Sequence, residues 1–150
     1  FPLDREGCDA SEPGVAVCDW EMNLVFIGSI FGRATTHTEG TVTVESDGCS
    51  VADGTTGDLS TLRGAGTITT LWGDEAYITT MFGSCAGTDA VIPSTWRVTG
   101  GTGRFEDATG LINGESMQLG TKENSVYVQS LSTGTITVRA DLWEDRLSAE

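Results

Sequence analysis

The sequence predicts an all-β protein, and three observations support this. About eight segments are rich in β-branched and aromatic residues, and no segment shows a clear helical periodicity. Glycine and aspartate separate these segments at intervals of roughly ten to fifteen residues, a spacing typical of barrels and sandwiches. The 20 glycines suit many tight turns, and 150 residues are enough for one domain with a sizeable core.

The strands are predicted in chain order from their composition. The apolar segment N-L-V-F-I-G-S-I at 23–30 continues through 31–38 after a bend at Gly28 or Gly32. Residues 41–45 alternate as T-V-T-V-E and end at a turn-like S-D-G. A long strand at 62–72 and a hairpin turn at 73–75 lead into 76–82. The remaining strands are predicted at 94–99, 111–119, 124–131 and 134–143.

The two ends of the chain differ from this pattern. Residues 1–20 are rich in Asp, Glu, Gly and Pro, which predicts an irregular N-terminal arm. Residues 21–143 form the predicted β domain, and the charged residues 144–150 form a loose C-terminal tail. No internal repeat or linker divides the chain, so we expect one domain.

The four cysteines are Cys8, Cys18, Cys49 and Cys85, and the only histidine is His37. No C-x-x-C motif occurs, so a zinc site is poorly supported. An even number of cysteines suits two disulfides in an oxidising compartment, and the alternative is four reduced, buried thiols. Three connectivities are open; we favour Cys8–Cys18, which would pin the arm, and Cys49–Cys85.

The net charge of −14 limits the partners of the protein. Duplex nucleic acid and anionic lipid surfaces would both be repelled, so we expect neither as a partner. No run of about 18 apolar residues is present, so no transmembrane helix is predicted. Since the chain starts at Phe1 without methionine, we expect a secreted protein whose leader has been removed.

The glycine-rich segment V-T-G-G-T-G-R-F-E-D-A-T-G at 98–110 has two interpretations. A dinucleotide fingerprint needs a third glycine and a following helix, and a P-loop needs Gly-Lys-Ser/Thr; none of these is present. The alternative is a corner between two strands. Gly100, Gly101 and Gly103 would supply positive φ angles, and Phe105 would plug one end of the core.

Residues 99–110 also resemble the T-G-G-[ST]-G-x-F-x-x-A-x-G signature of the allene oxide cyclase and dirigent barrels, and residues 32–40 faintly resemble another stretch of secreted members. The resemblance implies an eight-stranded antiparallel, calycin-type β-barrel over 21–143 with an apolar cavity for one small molecule. It also implies cofactor-free chemistry, such as ring closure, radical coupling or hetero-Diels–Alder cyclisation. A homo-oligomer, a dimer or a trimer, is a further expectation from the resemblance. The family's catalytic residues lie outside the signature.

The resulting hypothesis is a cofactor-independent cyclase or isomerase that acts on a small hydrophobic natural-product intermediate. Such a cavity needs aromatic walls and one or two hydrogen-bond donors, but no metal or nucleotide. The candidate catalytic residues are Tyr77, Glu115 and Tyr127, and the candidate substrate-binding residues are Trp72, Met81, Phe82, Trp96 and Met117.

Two alternatives stay open: a secreted barrel that binds a small apolar molecule without catalysis, and a structural or dirigent-type protein with a filled core. The strand register decides which side chains face inward, because a slip of one residue inverts a strand. If Tyr77 faces inward, Met81 does too and Phe82 faces outward. If Trp96 faces inward, so does Val98, while Arg97 faces outward.

Overall fold

A computed structural model describes residues 8–51, 53–85, 91–122 and 125–144, and only the backbone at 91–92, 118–122 and 125–129. Within these residues, eight antiparallel strands form one sheet whose strand order follows the chain, which confirms the all-β prediction. The strands are β1 (Asp9–Glu12), β2 (Val15–Gly28), β3 (Gly32–Ser50), β4 (Thr56–Thr70), β5 (Glu75–Cys85), β6 (Val91–Gly101), β7 (Thr109–Lys122) and β8 (Ser125–Thr137).

Side chains alternate between two faces of the sheet, as the period of two requires. On β3, Ala34 and Thr36 are buried, whereas Thr35 and His37 between them are exposed. The ladders keep this parity across the sheet, because even-numbered residues pair with even-numbered residues over most of its length. We call the face that carries the even-numbered side chains of these strands the inner face, and the opposite one the outer face.

The inner face packs against itself to form the core. The buried cluster comprises Phe31, Ala34, Ile68, Ala76, Ile78, Val98, Phe105 and Ala108. Phe26 of β2 and Ile136 of β8 both pack against this cluster, although five strands separate β2 from β8 in the sheet. Since residues from both ends of the sheet contact one cluster, the sheet is curled around its inner face.

The sheet is open, which corrects the expectation of a closed barrel. No ladder joins the described part of β8 to β1 or β2, and β1 covers only the first residues of β2. The inner face of β8 offers a physical reason. Ser130, Ser132 and Gly134 are small and exposed, so they bury little apolar surface that would hold β8 against β2.

The N-terminal segment also differs from the prediction of an irregular arm over 1–20. Residues 9–12 and 15–20 belong to β1 and β2, which pair as a short hairpin, with Gly14 at φ +79° in its turn. Residues 1–7 lie outside the described part of the chain, as do residues 145–150 of the predicted tail.

Both disulfides have the favoured connectivity. Cys8–Cys18 ties the first described residue to β2, and Cys49–Cys85 joins the ends of β3 and β5 across β4. The two bonds indicate an oxidising compartment. A separate observation concerns membranes: the described residues contain no helix with the length and apolar character needed to cross one.

The turn predicted at S-D-G lies within a strand. β3 runs on to Ser50, and its pairing with β4 shifts register between Glu45 and Cys49. Asp47 in this stretch has a φ of 55°, a left-handed conformation that aspartate tolerates better than most residues. The turn-forming residues therefore make a bulge.

The glycine-rich segment forms the predicted corner between β6 and β7. Gly100 and Gly103 have positive φ angles of 152° and 57°, whereas Gly101 does not. A Cβ on Gly101 would instead overlap the carbonyl oxygen of Glu75. A three-residue 3-10 turn, Gly103–Phe105, follows, and Phe105 is 0% exposed, so its role as a core plug is confirmed.

Candidate ligand-binding cavity

A cavity of about 310 Å³ lies where the two ends of the curled sheet approach each other. Its walls come from β2 and the turn after it on one side and from β8 on the other, with β4, β6 and β7 between them. Exposed Ile27 and Leu131 flank it. The lining consists of Leu24, Phe26, Ile27, Gly28, Ser29, Ile30, Phe31, Ile68, Trp96, Ile112, Ser130, Leu131, Ser132, Gly134 and Ile136.

Aromatic rings shape two parts of this wall. Phe26 and Phe31 meet edge to face, with ring centroids 5.8 Å apart. Trp96 meets the ring of Phe82 in the same geometry at 6.0 Å. Edge-to-face contacts favour defined ring orientations, and these orientations shape the two parts of the wall.

The polar atoms of the lining side chains are the hydroxyl oxygens of three serines and the indole nitrogen of Trp96. Ser130 and Ser132 lie on β8, with Oγ atoms 3.4 Å apart, and Ser29 lies on the opposite wall. Ser116 of β7 donates a hydrogen bond of 3.0 Å to Ser130 Oγ. No charged side chain and no phenol lines the cavity within the described residues, so this surface can offer neutral hydrogen bonds and apolar contact.

Hydroxyl groups also lie deep in the inner face. Thr36, Thr70, Thr80 and Ser94 are buried, and their hydroxyl oxygens have no hydrogen-bond partner among the described residues. Thr38 differs, because its hydroxyl donates to the carbonyl oxygen of Met22 at 3.3 Å. A buried hydroxyl without a partner costs about 1–3 kcal/mol of stability. This face therefore carries more polar groups than a core built for stability alone.

Two of the predicted wall residues lie at or beside the cavity. Trp96 is part of the lining, and the register around it follows the prediction, since Val98 is buried and Arg97 is exposed. Phe82 lies on the inner face of β5 and contacts Trp96.

Tyr77 and Met81 lie on the outer face of β5, 41% and 50% exposed, whereas Ile78 and Phe82 lie on the inner face. On β7, Glu115 and Met117 are exposed on the outer face. The structure thus does not bring these four side chains together with Trp96, and their proposed roles stay predictions.

The last two candidates lie elsewhere. Trp72 lies in the turn between β4 and β5, where its ring is 4.9 Å from the guanidinium of Arg104. Tyr127 pairs with Gly120 along the β7–β8 ladder, and its side chain lies outside the described part of the structure.

Arg104 lies at the centre of an aromatic cluster, at the end of the core that Phe105 plugs. Its guanidinium lies 4.9 Å from the ring centroids of both Trp72 and Trp143, and its Nε contacts Asp74 Oδ2 at 2.5 Å. Trp143 Nε1 donates to the carbonyl oxygen of Arg104 at 2.8 Å. The cluster fixes the corner against the chain segment after β8.

The carboxyl groups with shifted pKa values lie outside the cavity lining. The Thr55 hydroxyl donates to the Asp53 carboxylate and lowers its pKa, and a hydrogen bond from Arg139 lowers the pKa of Asp141. None of these residues lines the cavity. Within the described chain, no group of three or more His, Cys, Asp or Glu could hold a metal ion.

Comparison of the chain with family models, curated proteins and solved structures found no match. Function is therefore inferred from the cavity itself.

The sequence does not single out several of the lining residues. It shows them only as members of apolar segments; these residues are Ile30, Phe31, Ile112 and Ile136. The available signal was the parity of the strands: once Trp96 is placed inward, the neighbouring ladder also places Ile112 inward. The serines of β8 carry no comparable signal, because serine is common on exposed strands and in turns.

Proposed function

We propose that this protein binds one small hydrophobic molecule in the cavity between β2 and β8. The observation that supports this is the cavity of about 310 Å³, lined mainly by aliphatic and aromatic side chains. Ligand pockets typically measure about 300–1,000 Å³ and combine an apolar wall with a few polar groups. A structural protein with a filled core is disfavoured by the same volume.

The volume also limits the ligand. At about 310 Å³, it lies at the lower end of the range typical of ligand pockets. A small compound, such as a bicyclic aromatic or a monoterpene, therefore suits it.

Naphthalene is a suitable first compound for a binding test by NMR. Saturable shifts of the Ile112 and Ile136 methyl signals are expected, because both side chains line the cavity. Ser132→Phe would fill the cavity from the β8 side and should abolish these shifts. Thr133→Phe introduces the same ring on the outer face of the same strand and should leave them unchanged. Binding that Ser132→Phe does not affect would contradict the proposed location.

Catalysis is the second candidate: a cofactor-independent cyclase or isomerase, as the resemblance of residues 99–110 implies. The observation in its favour is the position of serine hydroxyls beside the aromatic wall of Trp96. The hydroxyls of Ser130 and Ser132 would polarise a substrate oxygen, and the ring of Trp96 would stabilise developing positive charge. Orientation of a folded substrate contributes up to about 7–11 kcal/mol in ideal cases.

Turnover separates the two candidates. Conjugated polyene and quinone methide precursors would be incubated with and without protein, and the rate and the stereochemistry of the product compared. A stereoselective rate increase that is lost in Ser132→Phe supports the cyclase. Saturable binding with unchanged rate and stereochemistry leaves the binding function alone.

We also propose that the protein is secreted and that it meets its ligand outside the cell. The two disulfides support this, because disulfides persist in oxidising environments. The net charge of −14 disfavours nucleic-acid and anionic-membrane partners. The resemblance adds a dimer or trimer, which the mass in solution tests directly.

A further inference from the structure

Four serines lie on the inner faces of three neighbouring strands, and two of them, Ser130 and Ser132, line the β8 side of the cavity. Ser94 of β6 pairs with Gly114 of β7, and Gly114 pairs with Ser132 of β8, so the three residues form one row. Ser116 and Ser130 pair in the same β7–β8 ladder, two residues further along. We call Ser94, Ser116, Ser130 and Ser132 the serine cluster.

Gly114 lets two of these hydroxyls approach the same point. A Cβ at position 114 would lie 2.9 Å from Ser94 Oγ and would overlap Ser132 Oγ. Because Gly114 has no side chain, the hydroxyl groups of Ser94 and Ser132 can occupy the space beside it. Any larger residue here would displace them.

The cluster runs from a buried end to the cavity wall. At the buried end, Ser94 is 4% exposed, and its Oγ has no hydrogen-bond partner among the described residues. At the other end, Ser130 and Ser132 line the cavity. Ser116 donates to Ser130 at 3.0 Å, and Ser130 lies 3.4 Å from Ser132. A hydroxyl can donate one hydrogen bond and accept two, so the cluster has unused capacity.

We propose that the serine cluster binds a neutral oxygen atom of the ligand, a hydroxyl or a carbonyl group. The ligand class is then a small apolar alcohol, phenol or ketone. This inference rests on the proposed binding function, and it adds the polar group that the ligand carries.

The charges nearby favour a neutral group over an ionised one. Among the side chains that the structure describes on β6, β7 and β8, the charged ones are Arg97 and Glu115, and both are exposed on the outer face. A carboxylate in the cavity would lose its hydration without gaining a cation as partner. An ammonium group would likewise find no carboxylate in the lining.

Three naphthalene derivatives of nearly equal size test this by titration calorimetry at neutral pH. Naphthalene has no polar group, 2-naphthol carries a neutral hydroxyl, and 2-naphthoate carries a charge. We expect 2-naphthol to bind about five- to tenfold more tightly than naphthalene, the effect of about one hydrogen bond. We expect 2-naphthoate to bind more weakly than 2-naphthol.

Serine variants connect the preference to the cluster. Ser130→Ala and Ser132→Ala should each lower the affinity for 2-naphthol about fivefold and leave that for naphthalene unchanged, because both side chains line the cavity. Thr133→Ala is the matched control, because it removes a hydroxyl from the outer face of the same strand and should not alter the preference. Ser94→Ala should keep or raise the melting temperature, because it removes a buried hydroxyl that has no protein partner.

The outcomes distinguish this inference from the proposed function. If none of the three compounds binds, both are overturned. If naphthalene binds but 2-naphthol binds no more tightly, or if Ser130→Ala and Ser132→Ala leave the preference intact, only the serine cluster is overturned as the oxygen site. Tighter binding of 2-naphthoate than of 2-naphthol would also overturn it.

Discussion

The buried ion pair between Arg104 and Asp74 gives a prediction about stability. The two side chains are 12% and 19% exposed, and the guanidinium lies between the rings of Trp72 and Trp143. Removing the charge of Arg104 should therefore cost more stability than removing the charge of Asp74. Arg104 has aromatic rings as further partners, whereas the Asp74 carboxylate lies against Gly103 at the corner.

The magnitudes follow from this asymmetry. Arg104→Met keeps an apolar stem between the rings but leaves a largely buried carboxylate alone, which costs about 3–5 kcal/mol. Asp74→Asn leaves the cation against two rings, so the loss is smaller, about 1.5–3 kcal/mol for one hydrogen bond to a charged group. The double variant should lose less than the sum of the two single losses, because it leaves no unpaired charge.

Urea unfolding and thermal unfolding, both with the disulfides intact, measure these losses. Arg104→Met should lower the melting temperature by about 6–20 °C, at about 2–4 °C per kcal/mol for a chain of this size. Arg97→Met is the control, because Arg97 is exposed on the outer face of β6 and should change stability little. Losses that add in the double variant, or a larger loss for Asp74→Asn than for Arg104→Met, would refute the reasoning.

Three further predictions concern other parts of the chain. Phe105→Ala should cost about 3–5 kcal/mol in urea unfolding, because the ring is fully buried, whereas a loss below about 1 kcal/mol would contradict its role as a plug. Replacing Cys49 and Cys85 by serine should cost about 4 kcal/mol by the chain-entropy relation, since the bond closes a loop of 36 residues; an unchanged unfolding midpoint would exclude this. Thr55→Val should raise the pKa of Asp53 toward its ordinary value, as NMR titration of the carboxyl carbon would show. The Thr55 contribution to stability is present above the ordinary pKa of Asp53 and is lost as the pH falls through the lowered one, so an unchanged titration would exclude it.

Features set by local chemistry could be predicted from the sequence. Most strand segments, the glycine corner with Phe105 and the favoured disulfide pairing follow from residue types and short spacings. The bend predicted at Gly28 or Gly32 is wrong, because the chain makes a hairpin turn there between β2 and β3. The S-D-G segment shows the limit of this reasoning. Turn-forming residues can end a strand or bulge it, and the pairing of β3 with β4 on both sides of Asp47 selects the bulge.

The cavity could be predicted only in part. Composition and the resemblance indicate an apolar interior, but the face on which Tyr77 lies depends on register, which one residue inverts. The lining also combines β2 with β8, which are far apart in sequence and are not joined by a ladder in the described residues. Neighbouring strands can be paired from local turns, but the approach of the first and last long strands depends on the curl of the whole sheet.

The gap between β2 and β8 has a mechanical consequence. In a fully hydrogen-bonded cylinder, the circumference is fixed by the number of strands and their stagger, and enlarging it means breaking backbone hydrogen bonds. In this open sheet, a small change in the coiling of the strands from β2 to β8 would widen or narrow the gap between them. Each ladder would stay intact. The volume of the cavity can therefore change at low energetic cost, and the proposed binding site would accept molecules of somewhat different size.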